Sequence, residues 1–233
     1  MMEKYLEDSY LKEYESRVIE VDGNKIVLEN TIFYPESGGQ ACDMGKIVRD
    51  DEDFVVSNVK KENGKIVHYV DKEGLNERDE VVCVIDWDRR YKLMKSHTCA
   101  HIISAIVHKD TGALITGNSI TPEKIRIDFS VQDFNVEVAK RFIEEANKAI
   151  KRHLEITSYT ISREEMDRKP EMVKLAKGLP SFVKIVRIVK IGDVDEQPDG
   201  GTHVKNTKEI GELELIEVDN RGKDNRRMYL KLK

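Results

Sequence analysis

Two histidines stand four residues apart in the segment KSHTCAHIIS, as His97 and His101. On a helix this spacing places both side chains on one face, with Cβ atoms about 5–6 Å apart, so two imidazoles can reach one ion. Far along the chain, the segment QPDGGTHV repeats the spacing with Asp199 and His203. Three imidazoles and one carboxylate suit zinc, which accepts nitrogen and oxygen donors. The alternative is that these are ordinary core or surface histidines, since bare HxxxH patterns often occur without a metal.

The residues next to His97 narrow the chemistry. Thr98 follows it where a HExxH metalloprotease requires a glutamate as general base, so the pattern disfavours a metallopeptidase. Cys99 lies two positions from His97 and therefore points to another face of the helix. It is a poor candidate to replace one of the four metal donors.

A glycine-rich segment in the first half, FYPESGGQACDMGKI from Phe33, is a second candidate site. Its proline and glycines, Pro35, Gly38, Gly39 and Gly45, predict a tight loop that could present backbone amides to a ligand. The alternative is that this loop only closes the fold.

Short strands and turns precede Trp87. Alternating apolar residues flank the turn Asp22-Gly23-Asn24 and predict a hairpin, and the segments FVVSNVKK and KIVHYVD predict a second hairpin around Glu62-Asn63-Gly64. With the segment EVVCVID as a further strand, residues 1–87 are predicted to form a small β-barrel or sandwich.

After Trp87 the pattern changes to α+β. The segment DRRYKLMKSHTCAHIISAIVHKDTG predicts one long helix that stops at Gly112. A second helix, VEVAKRFIEEANKAIKRHL, follows, and the predicted strands are KIRIDFS, EITSYTISR, FVKIVRIVKIG, ELELIEV and RRMYLKL. This order predicts an α+β domain over residues 88–233 with a mostly antiparallel sheet, and a domain boundary between Asp86 and Arg90.

Charge and cysteine content limit the class of protein. The net charge of −5 over 233 residues argues against nonspecific coating of nucleic acid, which needs many Lys and Arg residues, but permits a local basic patch. The three cysteines, Cys42, Cys83 and Cys99, match no secreted disulfide framework. Because we find no signal peptide and no apolar stretch of spanning length, we expect a cytoplasmic protein with no membrane partner.

Taken together and in this order, the segments FYPESGGQACDMG, DWDRRYKLMKSHTCAHIIS and QPDGGTHVKNTKEIG closely resemble the editing region of alanyl-tRNA synthetase and its free-standing relatives, the AlaX proteins. The resemblance is to the medium-length AlaX form, which implies an N-terminal β-barrel domain before a zinc-binding editing domain. It also implies a hydrolase that removes serine, with glycine as a second candidate, from mischarged tRNA(Ala). Such a second sieve is needed because a pocket built for a methyl group rejects a similar side chain by only about 1–3 kcal/mol.

The resemblance also assigns roles to individual residues. It implies one zinc ion per chain, held by His97, His101, Asp199 and His203. The common form of the family has Cys where this chain has Asp199, so that carboxylate either binds the metal directly or lies behind it, with water in the vacant position.

The remaining site residues would serve the substrate. Thr98 could face the hydroxyl of serine, or it could simply pack within the helix. Gly38, Gly39 and Gln40 correspond to the glycine-rich loop that helps to shape the editing pocket. The basic patch for tRNA is predicted at Arg89, Arg90 and Lys95. The alternative function is a noncatalytic, zinc-stabilised module that binds tRNA.

Overall fold

The chain divides into two compact units, Met1–Leu93 and Met94–Lys233. A computed structural model describes residues 3–132, 134–180 and 183–233. The division falls inside the long helix that carries His97 and His101, whereas the sequence predicts a boundary between residues 87 and 88, where that helix starts.

The first unit is built around a closed, six-stranded antiparallel barrel, which confirms the predicted N-terminal barrel and α+β class. Around the barrel the strands follow the order β1-β2-β5-β4-β3-β6. A four-residue helix α1 (Lys4–Glu7) precedes them. The strands are β1 (Glu13–Asp22), β2 (Lys25–Leu28), β3 (Gly45–Arg49), β4 (Glu52–Glu62), β5 (Lys65–Val70) and β6 (Glu80–Ile85).

Strand β3 corrects the prediction that the whole glycine-rich segment is a loop. Its first residue, Gly45, pairs with both Val56 and Ile85, so the chain enters the barrel while still within that segment. A Cβ atom on Gly45 would lie 2.1 Å from the carbonyl oxygen of Val84, which explains why only glycine fits there. This glycine therefore serves the close approach of two strands.

The barrel core contains one histidine, His68, among apolar side chains. Its Nε2 lies 2.8 Å from Oγ1 of Thr31, and its Nδ1 lies 3.0 Å from the carbonyl oxygen of Ile26. Burial lowers the pKa of His68 to about 4, although the bond to Ile26 opposes this shift. The imidazole is therefore neutral at pH 7 and both ring nitrogens are used inside the barrel, which is the bonding expected of a structural histidine.

Helix α2 (Trp87–Thr111) is the long helix that the sequence predicts. Asp86 caps its start, since the carboxylate accepts a hydrogen bond from the backbone N–H of Arg89 at 3.1 Å. Gly112 ends it in the left-handed region, with φ of +71° and a bond from its N–H to the carbonyl of His108. Every residue from 96 to 105 is buried, so both histidines lie in the protein interior.

The second unit contains two antiparallel sheets, which confirms the predicted antiparallel arrangement. A three-stranded sheet has the order β11-β10-β9, and a four-stranded sheet has the order β12-β13-β8-β7. The strands are β7 (Ile115–Ile120), β8 (Ile125–Phe129), β9 (Ile156–Ser162), β10 (Ile185–Ile191), β11 (Asp195–Pro198), β12 (Leu213–Asn220) and β13 (Arg226–Leu232). Of the predicted strand FVKIVRIVKIG, Phe182 lies outside the described residues.

Among the described residues of this unit, two further α-helices follow, α3 (Val136–Ile150) and α4 (Arg163–Asp167). The side chain of Asn135 caps α3, and Asn147 exchanges two hydrogen bonds with the backbone of Leu213, which holds the helix against β12. The sequence pattern predicts that this helix continues to residue 154. In the structure it ends at Ile150, and His153 has a positive φ of +55° that is incompatible with a right-handed helix. Among the residues that the structure describes, no helix is long and apolar enough to cross a membrane.

Candidate functional site

The structure brings together the four residues that the sequence singles out as metal donors. One ligand atom from each of His97, His101, Asp199 and His203 lies within 4.8 Å of the other three. The carboxylate of Asp199 is at the centre: its Oδ1 is 3.3 Å from Nε2 of His97 and 3.5 Å from Nε2 of His101. Its Oδ2 is 2.9 Å from Nε2 of His203. All three imidazoles thus turn the same ring nitrogen toward one carboxylate.

Two of these separations equal the donor spacing around a tetrahedral metal ion. Two donors about 2.1 Å from zinc and at the tetrahedral angle are about 3.4 Å apart. The contacts of Asp199 to His97 and His101, at 3.3 and 3.5 Å, match that spacing, and the contact to His203 is shorter by a few tenths of an ångström. The cluster of possible metal donors found among the described residues does not include Cys99. Burial raises the pKa of the Cys99 thiol.

The hairpin of β10 and β11 delivers Asp199 and His203. The N–H of Asp199 continues the strand pairing by donating to the carbonyl of Arg187 at 3.0 Å. The carboxylate of Asp199 then accepts the N–H of Gly201 at 2.5 Å, and the guanidinium of Arg187 donates to the carbonyls of both residues at 3.2 Å. Neither Gly200 nor Gly201 has a positive φ. Side-chain bonds, and not unusual backbone angles, therefore hold this turn.

The carboxylates give the site an uneven charge distribution. Burial lowers the pKa of His101, but hydrogen bonds and charge from Asp195 and Asp199 outweigh it and raise this pKa to about 9. Burial and the charge of His97 lower the pKa of His203 to about 3. Burial tends to raise the pKa of Asp199, yet the three histidines together hold it well below its usual value. Asp199 is therefore an anion over the whole physiological range, ready to accept a cation.

Thr98 is completely buried, and its hydroxyl contacts groups within the protein. Its Oγ1 donates to the carbonyl of Met94 at 2.9 Å and lies 3.1 Å from Nδ1 of His203. The N–H of Val204 donates to the same oxygen at 3.3 Å. Because the single hydroxyl proton goes to Met94, Oγ1 is placed to accept the Nδ1 proton of His203, which leaves Nε2 for the metal. This favours a role in orienting His203.

Two residues that the sequence reasoning missed lie behind His101. Oδ2 of Asp195 is 2.9 Å from Nδ1 of His101, and the amide of Gln197 donates to that same oxygen at 2.8 Å. The sequence did contain a signal, because Asp195, Gln197 and Asp199 alternate along one strand and its continuation. Alternate residues of a strand share a face. Strand β11 was not predicted, so the alternation was not recognised.

The glycine-rich loop of the first unit is a tight turn. Gly38 and Gly39 have φ of +59° and +88°, and Ser37 and Gln40 exchange backbone hydrogen bonds of 3.2 and 2.9 Å. Two successive positive φ values define a type I′ turn, which glycine adopts without strain. Gln40 is buried, whereas the two glycines are exposed. Their contribution to a substrate pocket stays a prediction.

Three residues are predicted to contact RNA, and for Arg90 that prediction is wrong. Its side chain is 0% exposed and forms an ion pair with Asp43, which is also fully buried. The guanidinium also donates to the carbonyls of Ser9 and Ile32, at 2.8 and 2.6 Å, so it joins the glycine-rich segment to the start of α2 within the first unit. In the sequence, Arg90 stands in a run of basic residues, and this pattern does not indicate an internal role. Arg89 and Lys95 are partly buried, and their contact with RNA stays a prediction.

Comparisons with known proteins identify the family of the chain. The family model for class II tRNA synthetases (A) matches residues 4–89, and the model for the second additional domain of threonyl and alanyl tRNA synthetases matches residues 186–229. Alanyl-tRNA editing protein AlaX-M of Saccharolobus solfataricus is 46% identical over 99% of this chain and 98% of its own length. The chain belongs to the alanyl-tRNA editing protein family. The AlaX-M protein of Methanosarcina barkeri is 43% identical over 98% of this chain and 97% of its own length. An alanine–tRNA ligase of Ignicoccus hospitalis is 37% identical over 90% of this chain but only 23% of the ligase.

Proposed function

We propose that the protein is a trans-editing hydrolase that removes serine, with glycine as a second substrate, from mischarged tRNA(Ala). The observation that carries the proposal is the similarity of the chain over its whole length to alanyl-tRNA editing proteins, and the four donors within 4.8 Å supply a metal site for it. In the reaction, water attacks the carbonyl carbon of the aminoacyl ester and the ester C–O bond breaks. The products are the free amino acid and a tRNA with a free terminal hydroxyl.

Zinc is the metal that we propose for the site, with His97, His101, Asp199 and His203 as its ligands. When bound, it supplies a positive charge beside the ester. Four protein ligands would fill a tetrahedral shell, so positioning the substrate is a better role for it than activating water. Asp199 is the most exposed of the four side chains, at 14% against 3–8% for the three histidines, and we propose that the tRNA end approaches from its side.

Selection against alanine requires a group that pairs with the serine hydroxyl, because alanine offers no such partner. Thr98 was the sequence-based candidate, but its hydroxyl already contacts Met94 and His203. Gln40, on the glycine-rich turn, is fully buried and has a partner within the protein, so the same objection applies to its amide. We therefore propose that Gly38, Gly39 and Gln40 shape the editing pocket, with the buried Gln40 holding the turn that presents the two exposed glycines.

The decisive assay measures hydrolysis of Ser-tRNA(Ala), Gly-tRNA(Ala) and Ala-tRNA(Ala) by the zinc-loaded protein. We expect rapid release of serine, slower release of glycine, and no release of alanine above the spontaneous rate. Substitution of His97 or His203 by alanine should abolish both zinc binding and serine release. Equal rates on the seryl and alanyl esters would contradict an editing function.

A separate measurement of tRNA affinity tests how tRNA binds. The acidic chain should hold tRNA through a limited basic patch, so affinity should fall steeply as salt rises. Charge reversal at Arg89 and Lys95 should weaken binding, whereas unchanged affinity would move the patch, most plausibly to residues 221–227.

A noncatalytic tRNA-binding module is the second candidate. The complete set of four protein donors favours it, because structural zinc sites are closed in the same way. In that case the protein would bind Ser-tRNA(Ala) and protect its ester, so the deacylation assay separates the two functions directly.

A further inference from the structure

A buried carboxylate that is not among the four donors lies directly behind one of them. The side chain of Asp195 is 0% exposed, and its Oδ2 is 2.9 Å from Nδ1 of His101. Gln197 donates to the same oxygen at 2.8 Å. The amide nitrogen of Gln197 also lies 3.0 Å from Nδ1 of His101. Because a carboxylate only accepts hydrogen bonds and Oδ2 of Asp195 is the nearer of the two contacts, we place the proton of Nδ1 toward Asp195, which leaves Nε2 as the metal-facing nitrogen. Asp195 thus selects the ring orientation and the tautomer that a ligand histidine needs.

A lysine from outside the sheet holds Asp195 in place. The ammonium of Lys174 pairs with Oδ1 of Asp195, and the lysine side chain is only 11% exposed. Lys174 follows a short 3-10 turn, Pro170–Met172, and its carbonyl accepts the N–H of Ile115 at 2.8 Å. With Lys174 on one oxygen and His101 and Gln197 on the other, the carboxylate of Asp195 has partners on both sides and cannot rotate freely.

We propose that Lys174 and Asp195 are positioning residues for the metal site: the ion pair fixes the ring of His101 so that its Nε2 faces Asp199. This inference rests on the metal site of the proposed function. The distances support it, since Nε2 of His101 lies 3.5 Å from Oδ1 of Asp199 while Nδ1 of the same ring lies 2.9 Å from Asp195. Groups that orient ligand histidines in this way typically change metal affinity by about 10–100-fold when removed.

The alternative is that the pair only stabilises the fold. Burying an ion pair costs desolvation that its attraction often does not repay, so the presence of Lys174 and Asp195 is weak support for a stabilising role. A purely structural pair would lower the melting temperature of the metal-free protein when broken, but it would leave the affinity for zinc unchanged. The two roles therefore differ in a measurable quantity.

The test uses the full chain and compares Lys174→Met and Asp195→Asn with wild type. Zinc affinity is measured by competition with a chromophoric chelator, and the visible spectrum of the Co²⁺-substituted protein reports the ligand geometry. Lys169→Met is the matched control, because Lys169 lies nearby in sequence and pairs with Glu165 at 3.0 Å, with both side chains exposed. We expect both test variants to lose zinc affinity by roughly 10–100-fold and to shift the Co²⁺ spectrum, with the control unchanged.

Two additional variants keep the test decisive. Lys174→Arg retains a cation and should recover most of the zinc affinity. Lys174→Gln, which can still donate to Asp195, replaces Lys174→Met if the latter fails to fold, and an intermediate loss of affinity is expected. Wild-type zinc affinity and an unaltered Co²⁺ spectrum in the test variants would overturn the inference, even if their melting temperatures fell. A wild-type protein that binds no zinc would instead overturn the metal site itself.

Discussion

Replacing Thr98 by valine separates two roles for this buried hydroxyl. Valine keeps the shape of threonine but removes the oxygen that contacts Nδ1 of His203 at 3.1 Å and accepts from the N–H of Val204 at 3.3 Å. Each buried donor left without a partner costs about 1–3 kcal/mol. If the cost at His203 falls on the metal-bound state, zinc affinity should fall by roughly 5- to 150-fold, since about 1.4 kcal/mol corresponds to a factor of ten.

The assay is chelator competition on Thr98→Val, with hydrolysis of Ser-tRNA(Ala) and Gly-tRNA(Ala) measured at saturating zinc. Thr98→Ser, which keeps the oxygen, is the control and should bind zinc nearly as wild type does. If Thr98 orients His203, both esters should be affected alike once zinc is restored. Unchanged zinc affinity together with a selective loss on the seryl ester would refute this reasoning and return Thr98 to the role of serine recognition.

Three other perturbations follow from the structure. Asp199→Cys should retain or tighten zinc binding, because thiolate is the softer donor. Loss of zinc in this variant would show that Asp199 is not a direct zinc ligand. Arg90→Met leaves the fully buried Asp43 without its cation and should destabilise the fold by about 3–5 kcal/mol in urea unfolding, far more than Arg89→Met; equal effects would place the Arg90 side chain elsewhere. Burial lowers the pKa of His68 from 6.5 to about 4 in the folded chain, so the unfolded chain binds more protons between these values. The stability present above pH about 6.5 should fall by roughly 3 kcal/mol as the pH drops through about 4, and His68→Gln should lack this component; parallel pH profiles of the two proteins would contradict it.

The parts of the fold with strong local signals were predictable. The hairpin around Gly23 and the helix ending at Gly112 follow from turn and capping chemistry, and both occur in the structure. Strand β11 was missed because four residues, Asp195–Pro198, are polar or proline and pair only with β10, a partner that local sequence cannot specify. Strand propensity depends on such context more than helix propensity does.

In the candidate site, the metal donors were predictable from local spacing. The i, i+4 spacing of His97 and His101 fixes their common helix face, and a second pair at the same spacing supplied the other donors. The partners behind the donors were not predictable, because the contacts of Asp195 and Lys174 join segments whose proximity only the folded chain creates. Arg90 was misassigned for a related reason, since a basic residue in a charge run gives no local sign that its partner is buried.

The most direct test of the central claim is the rate of serine release from Ser-tRNA(Ala) by wild-type protein and by His97→Ala, with zinc content measured on the same samples. We expect about one zinc per chain, serine release far above the spontaneous rate in wild type, and loss of both in the variant. Zinc-loaded wild-type protein that binds Ser-tRNA(Ala) but leaves its ester intact would contradict the proposed editing hydrolase.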